Sequence, residues 1–121
     1  MTTTIDHLGM NVANFEKSKS FYVAALKPLG VTVLQDFGNV VGMGAAFPYL
    51  WISEGVPGHV HLAFRAETHA MVDEFYAAAM KAGGKDNGKP GLRTEYREHY
   101  YAAFVHDPDG HNIECVCHEP K

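Results

Sequence analysis

Two histidines and one glutamate stand out as residues that could do chemistry together. His7 lies in Asp6-His7-Leu8-Gly9-Met10 and His61 in Val60-His61-Leu62-Ala63-Phe64, 54 residues further on. Glu114 sits in Asn112-Ile113-Glu114-Cys115-Val116-Cys117, surroundings in which a carboxylate is costly to bury unless paired or metal-bound. Two imidazoles and a carboxylate from separate strands form a triad suited to a divalent transition metal with open positions. A lone strand histidine is more often a hydrogen-bonded structural residue. What points to ligands is a pair at repeat-related positions, on faces that a pseudo-twofold would bring together. The competing reading of Glu114 is an arginine partner or an exposed strand edge.

The elements that must position these residues follow from the same repeat. The 54-residue offset continues without a gap from the histidines to Phe21-Tyr22-Val23-Ala24-Ala25-Leu26-Lys27 against Phe75-Tyr76-Ala77-Ala78-Ala79-Met80-Lys81, and Gly30 falls on Gly84. Apolar and polar residues alternate over 5–12 and 59–66, predicting strands with one face toward a helix and His7 and His61 on the other. Asn14 and Thr68 are suitable N-caps for helices over 14–27 and 68–81. The first is expected to bury Ser18, Phe21, Tyr22, Ala25 and Leu26, the second Val72, Phe75, Tyr76, Ala79 and Met80. Strands are expected at 31–37, 40–46 and 48–53 in the first half, and at 100–106 and 112–118 in the second after a loop over 85–97. Asp107-Pro108-Asp109-Gly110 reads as a tight turn between the last two. The expected class is α+β: two tandem βαβββ units, approximately 4–55 and 58–119, in one domain spanning 1–121 and forming a cupped mixed sheet.

Bulk properties exclude several functions. With 20% charged residues and a formal net charge of -4, the 121-residue chain lacks the basic face that nucleic-acid binding needs. No apolar run approaches the roughly 20 residues that cross a bilayer. The first residues lack the basic and apolar regions of a signal peptide, so a cytoplasmic location is expected. Cys115 and Cys117, two apart on one face of a strand, read as reduced, packed thiols, because a C-x-C metal site has no second cysteine pair to complete it.

Other side chains near these motifs have weaker signals. His59 shares a face with His61 and is either a supporting partner or a solvated strand start. Tyr100, Tyr101 and Phe104 lie on the strand beside Glu114, where pocket lining competes with sheet packing. Lys89, Arg93 and Arg97 are placed to hold an anionic substrate from a mobile loop, with a plain solvated loop as the alternative. His69, His106, His111 and His118 read as surface or turn residues. No nucleophile elbow, P-loop or dinucleotide fingerprint is present.

Three segments carry a family resemblance: Ile5-Asp6-His7-Leu8, His61-Leu62-Ala63-Phe64 and Ala103-Phe104-Val105-His106-Asp107-Pro108-Asp109-Gly110-His111-Asn112-Ile113-Glu114. In these the chain resembles the glyoxalase/bleomycin-resistance/extradiol-dioxygenase superfamily, the vicinal oxygen chelate proteins, over essentially its whole length. The resemblance implies paired βαβββ modules and one divalent metal ion (Zn, Ni, Mn, Co or Fe) held by His7, His61 and Glu114, with Glu114 also catalytic. It implies a homodimer, in which the His7-type ligand and the His61/Glu114-type ligands come from different subunits in several members. The leading function is a metal-dependent, glyoxalase-like enzyme acting on a small oxygen-rich metabolite or xenobiotic. Alternatives are a fosfomycin-resistance-type thiol transferase, a ring-cleaving dioxygenase, or a metal-free antibiotic- or metabolite-binding protein. Glyoxalase I has a fourth ligand, a glutamate on the last strand of its first unit. Here Leu50-Trp51-Ile52 answers Ile113-Glu114-Cys115, so Trp51 stands in its place and a true glyoxalase I is not expected. Trp51, Tyr100, Phe104 and Arg93 are the expected substrate contacts.

Overall fold

The computed structural model describes residues 5–121; Thr4, where the first unit is expected to start, lies outside the described residues. The chain runs β1 (Leu8–Val12), α1 (Phe15–Leu26), β2 (Thr32–Asp36), β3 (Val40–Gly44), β4 (Pro48–Glu54), β5 (His61–Arg65), α2 (His69–Lys81), β6 (Lys85–Leu92), β7 (Tyr101–His106) and β8 (Asn112–Cys117). Two four-stranded sheets result, ordered β1-β4-β3-β2 and β5-β8-β7-β6. In each, the first and last strands of the unit pair in parallel and the remaining pairs are antiparallel. The two halves therefore share one βαβββ topology, as the repeat requires. Among the described residues no helix is long and apolar enough to cross a membrane.

Local sequence accounts for most of these elements. In β1, Met10 and Val12 are buried while Gly9 and Asn11 are exposed, the period-two split of a strand with one covered face. The Asn14 side chain accepts from the Lys17 amide at 3.1 Å and the Thr68 hydroxyl from the Met71 amide at 3.2 Å, so both helices are capped where the sequence placed their starts. All five residues expected on the inner stripe of α1 are buried, joined by Phe15. In α2 the buried set is Val72, Phe75 and Ala79, with Tyr76 and Met80 half-buried at its flank. The helices pack on each other and on one face of their sheets. There Phe21 meets Tyr22 edge-on at 5.0 Å, and Val41, Met43, Leu50, Ile52, Val105 and Ile113 close the core. Cys115 and Cys117 are free and buried in it, and burial pushes the Cys115 thiol up to about 12, leaving it inert.

The structure corrects the expectation of a loop over 85–97. Lys85–Leu92 is the outer strand of the second sheet, hydrogen-bonded to β7 with register shifts around Gly88. An edge strand tolerates Pro90 and glycine and needs no apolar alternation, so its sequence carries no strand signal. The true connection is Arg93–Tyr100, closed by the Arg93 amide donating to the Tyr100 carbonyl at 2.7 Å.

The tight turn expected between β7 and β8 is present, but the residues flanking it lie inside the protein. Asp107 is buried, and His111 is only 1% exposed. Gly110, at φ 86°, lets the chain reverse so that the amides of Asp109 and His111 donate to Asp107 Oδ1 at 2.9 and 2.8 Å. The other oxygen, Oδ2, accepts the Tyr22 hydroxyl of α1 at 2.5 Å. Asp109 accepts the Ala13 amide at 3.2 Å and the Ser18 hydroxyl at 3.4 Å. His111 Nδ1 accepts the Val60 amide at 3.1 Å, so its Nε2–H donates to the Asn11 carbonyl at 3.2 Å. One short turn thus ties the second half to β1 and α1 of the first.

This staple makes a quantitative prediction. Asp107→Ala leaves a buried hydroxyl and two amides without acceptors and lowers stability by about 3 kcal/mol, whereas Tyr22→Phe costs about 1–2 kcal/mol. Equilibrium urea denaturation of the two variants and the double variant measures both values, and non-additivity reports the coupling.

Candidate metal centre

On the second sheet, the face turned away from α2 brings β5 and β8 side by side with Ala63 in register with Glu114. His61 Nε2 lies 2.9 Å from Glu114 Oε1. The imidazole is open to solvent, its side chain 55% exposed, but the carboxylate beneath it is only 2% exposed. The Tyr100 hydroxyl, at the end of the β6–β7 connection, donates to Glu114 Oε2. Neither an arginine nor an exposed edge accounts for this buried carboxylate: its partners are an imidazole and a phenol. Burial first, then the hydrogen bond to Glu114 and its charge, push the Tyr100 phenol up to about 12, so it remains a donor at neutral pH. Phe104, paired with Glu114 across β7 and β8, flanks His61 with ring centroids 6.5 Å apart.

His7 occupies the equivalent place before β1 in the first half but does not join the pair within one chain. Its Nδ1–H donates to Asp6 Oδ1 at 2.8 Å, which leaves the lone pair on Nε2. Both residues are largely exposed. The donor chemistry fits a divalent cation: exchanging the proton between His61 Nε2 and Glu114 Oε1 for a metal ion satisfies both groups. Within one chain these two could offer two ligands, and His7, just before β1, is a candidate for a third.

The register also places Trp51. Gly9 pairs with Trp51 across β1 and β4 as Ala63 pairs with Glu114 across β5 and β8, so tryptophan stands where the second half has its carboxylate. Beside it, Gly42 of β3 takes the position that Phe104 has in β7. Large and small have exchanged places between the two sheets.

The remaining sequence candidates divide. Arg93 lies over the Phe104 ring at 5.5 Å, and its guanidinium donates to the carbonyls of Gly91 and Lys89, which fix it beside the pair rather than on a mobile cover. Lys89 is spent on Asp86 at 3.6 Å. Arg97 and His59 are exposed, His59 lying before β5 rather than on it, and Tyr101 hydrogen-bonds Asp73 on the helix side. His69 stacks on Tyr101 at 4.0 Å, and His106 is half-buried at the end of β7. His118, read as a surface or turn residue, is half-buried just after β8 with its Nδ1 enclosed; burial, with Arg65 and Arg97 nearby, holds it below the ordinary imidazole range. Sequence reasoning missed the one group of three metal-capable side chains within mutual reach among the described residues: Asp107, Asp109 and His111. Their oxygens and Nδ1 are engaged by the amides and hydroxyls of the staple, so they serve the fold.

The Tyr100–Glu114 contact sets a pH dependence. A phenol raised in the folded state and ordinary in the unfolded one contributes stability below about pH 10 that is lost as pH rises through about 12. Tyr100→Phe makes the alkaline loss of stability across that window shallower, as read by urea denaturation at stepped pH.

A model of the Glyoxalase/Bleomycin resistance protein/Dioxygenase superfamily matches residues 4–115. The chain is 28% identical over 119 residues to the metallothiol transferase FosB of Shouchella clausii (strain KSM-K16), an alignment covering 94% of this chain and 80% of that protein. Among solved structures, a glyoxalase/bleomycin resistance protein from Albidiferax ferrireducens T118 superposes with a TM-score of 0.81 at 26% identity, covering 95% of this chain and 98% of the other. The fosfomycin resistance protein FosX from Listeria monocytogenes shares the fold, with a TM-score of 0.74 at 17% identity over 97% and 94% of the two chains. With its tandem βαβββ topology and a family match over nearly its whole length, the chain belongs to the glyoxalase/bleomycin resistance protein/dioxygenase superfamily.

Proposed function

We propose that this chain is a metal-dependent enzyme acting on a small oxygen-rich metabolite or xenobiotic, working as a homodimer in which His61 and Glu114 of one copy and His7 of a second copy hold the metal. The observation that carries this reading is the His61–Glu114 pair, 2.9 Å apart on an open sheet face, with His7 at the matching position of the other sheet. Two ligands converge and the third is displayed outward, so a second copy completes the set. A bound divalent cation supplies Lewis-acid polarisation of adjacent substrate oxygens. The chain's own groups set the rest. Tyr100 holds Glu114 Oε2, which leaves Oε1, the oxygen facing His61, to ligate. Phe104 and Arg93 give that side of the cup an apolar floor with a fixed positive charge above it, suited to a substrate that becomes anionic.

A second reading is a thiol transferase of the fosfomycin-resistance type. It is favoured by the likeness to a metallothiol transferase, and on this reading His7, His61 and Glu114 keep their places as ligands. Both readings share the metal and its ligands and differ in the co-substrate. Isomerisation of the glutathione–methylglyoxal adduct is not part of either, because Trp51 removes the carboxylate that would shuttle a proton between carbons.

Two experiments test these statements. Glu114→Gln and His7→Ala each lose most of the bound metal while staying folded; mixing the two variants restores about a quarter of the wild-type content, since half the dimers are mixed and each has one intact site. Restoration of none places all ligands in one chain, and full metal content in Glu114→Gln refutes the assignment. In the second, metal-loaded protein leaves the glutathione–methylglyoxal adduct unchanged in a spectrophotometric assay; robust turnover overturns the exclusion.

A further inference from the structure

The open face of the first sheet is unlike its counterpart. Where the second sheet shows His61, Glu114 and Phe104, the first shows Trp51 lying against Gly42. A Cβ built on Gly42 would come within 2.7 and 2.8 Å of the indole Cη2 and Cζ3 atoms, so the ring rests on the bare backbone and only glycine admits it. Phe37, after β2, pairs with Val40 through its amide and lies on the same face as Gln35 and Gly42. Its ring runs parallel to Trp51, 9° between planes and 6.4 Å between centroids. Phe37 is 67% exposed and belongs to no core cluster. Beyond Trp51, toward β1, the register partner is Gly9, and a Cβ there would meet nothing within 4 Å. A flat aromatic surface therefore adjoins an open strip of glycine backbone that leads to His7.

We infer that Trp51 and Phe37, seated over Gly42, form a binding platform for a planar aromatic or conjugated group of the substrate, beside the oxygens directed at the metal ligands. This rests on the two-copy site proposed above, because Trp51 holds the register position of Glu114 and faces it only across such a cup. Parallel aromatic rings receive another planar ring by offset stacking, which a saturated ring of the same size cannot match. Glycines at Gly9 and Gly42 keep the floor flat and wide, and an exposed phenylalanine held parallel to a tryptophan serves no packing role in the fold.

The experiment uses Trp51, the single tryptophan of the chain, as its own reporter. Metal-loaded full-length protein is titrated with benzohydroxamate and with cyclohexanecarbohydroxamate, which share a two-oxygen chelating head and differ in ring planarity. Benzohydroxamate is expected to quench the Trp51 fluorescence saturably with a Kd about fivefold lower than that of the saturated analogue. In Phe37→Leu and in Gly42→Ala, which drives the indole off the sheet, the ratio falls to about one while metal content stays at the wild-type level. Phe37→Leu alters an exposed side chain, so the test survives if Gly42→Ala fails to fold. A wild-type ratio near one, with metal bound, overturns the platform and leaves the metal reading standing. A ratio retained in Phe37→Leu also overturns it. If metal analysis finds no bound ion but the ratio holds, the metal reading fails and the platform stands.

Discussion

The buried carboxylate of Asp107 is the constraint on which the arrangement of the two halves depends. It accepts two amides from its own turn and the Tyr22 hydroxyl from α1, so the turn cannot be built correctly without the other half of the chain in place. Burial, and then the neighbouring Asp107 charge, push the Tyr22 phenol far up from its ordinary range, so it acts only as a donor. Asp109 and His111 extend the tie to Ala13, Ser18, Asn11 and Val60. Polar groups buried this deeply are strongly destabilising when unpartnered and specific in geometry when satisfied. That specificity sets β8 in register with β5, and the same register puts Glu114 beside His61.

From one shared topology the two sheets have taken different chemistry. Position for position, the second sheet offers a carboxylate under an imidazole and a phenylalanine beside it, while the first offers an indole over a glycine. The helix-covered faces show no such divergence: both are closed by aliphatic and aromatic residues at strand and helix spacing. A covered face must fill its volume and so keeps its pattern in each copy of the repeat. The open face is free of that demand, and there the halves separate into a wall with an imidazole over a carboxylate and an aromatic one.

Glu114 shows how burial and reactivity are reconciled. A carboxylate at 2% exposure without an arginine or lysine is tolerated because Tyr100 and His61 satisfy one oxygen each. Tyr100 is itself braced edge-on by Tyr96 at 5.2 Å and by His118 at 5.3 Å, so the phenol is held rather than free to swing. On its other side the carboxylate is covered by His61, whose side chain is 55% exposed.

Much of this was legible in the residues themselves. Alternation in β1 and β5, the caps at Asn14 and Thr68, the helix stripes and the 54-residue offset determined two βαβββ units and placed His7 and His61 on the open faces, because local periodicity and short-range hydrogen bonds depend on neighbours along the chain. The match of Trp51 to Glu114 was readable too, since the repeat carries it. Other features have no local signature. Lys85–Leu92 is a strand only because β7 offers it backbone partners, and its own residues favour turns. His111 looks like a turn residue until Val60 and Asn11 close over it from distant parts of the chain. The Tyr100 contact to Glu114 joins a loop end to a strand fourteen residues away, and the glycine under Trp51 belongs to a neighbouring strand. Tertiary structure alone decided these, because side-chain pairing across strands depends on which backbones lie adjacent, and that adjacency is fixed only when the whole sheet has formed.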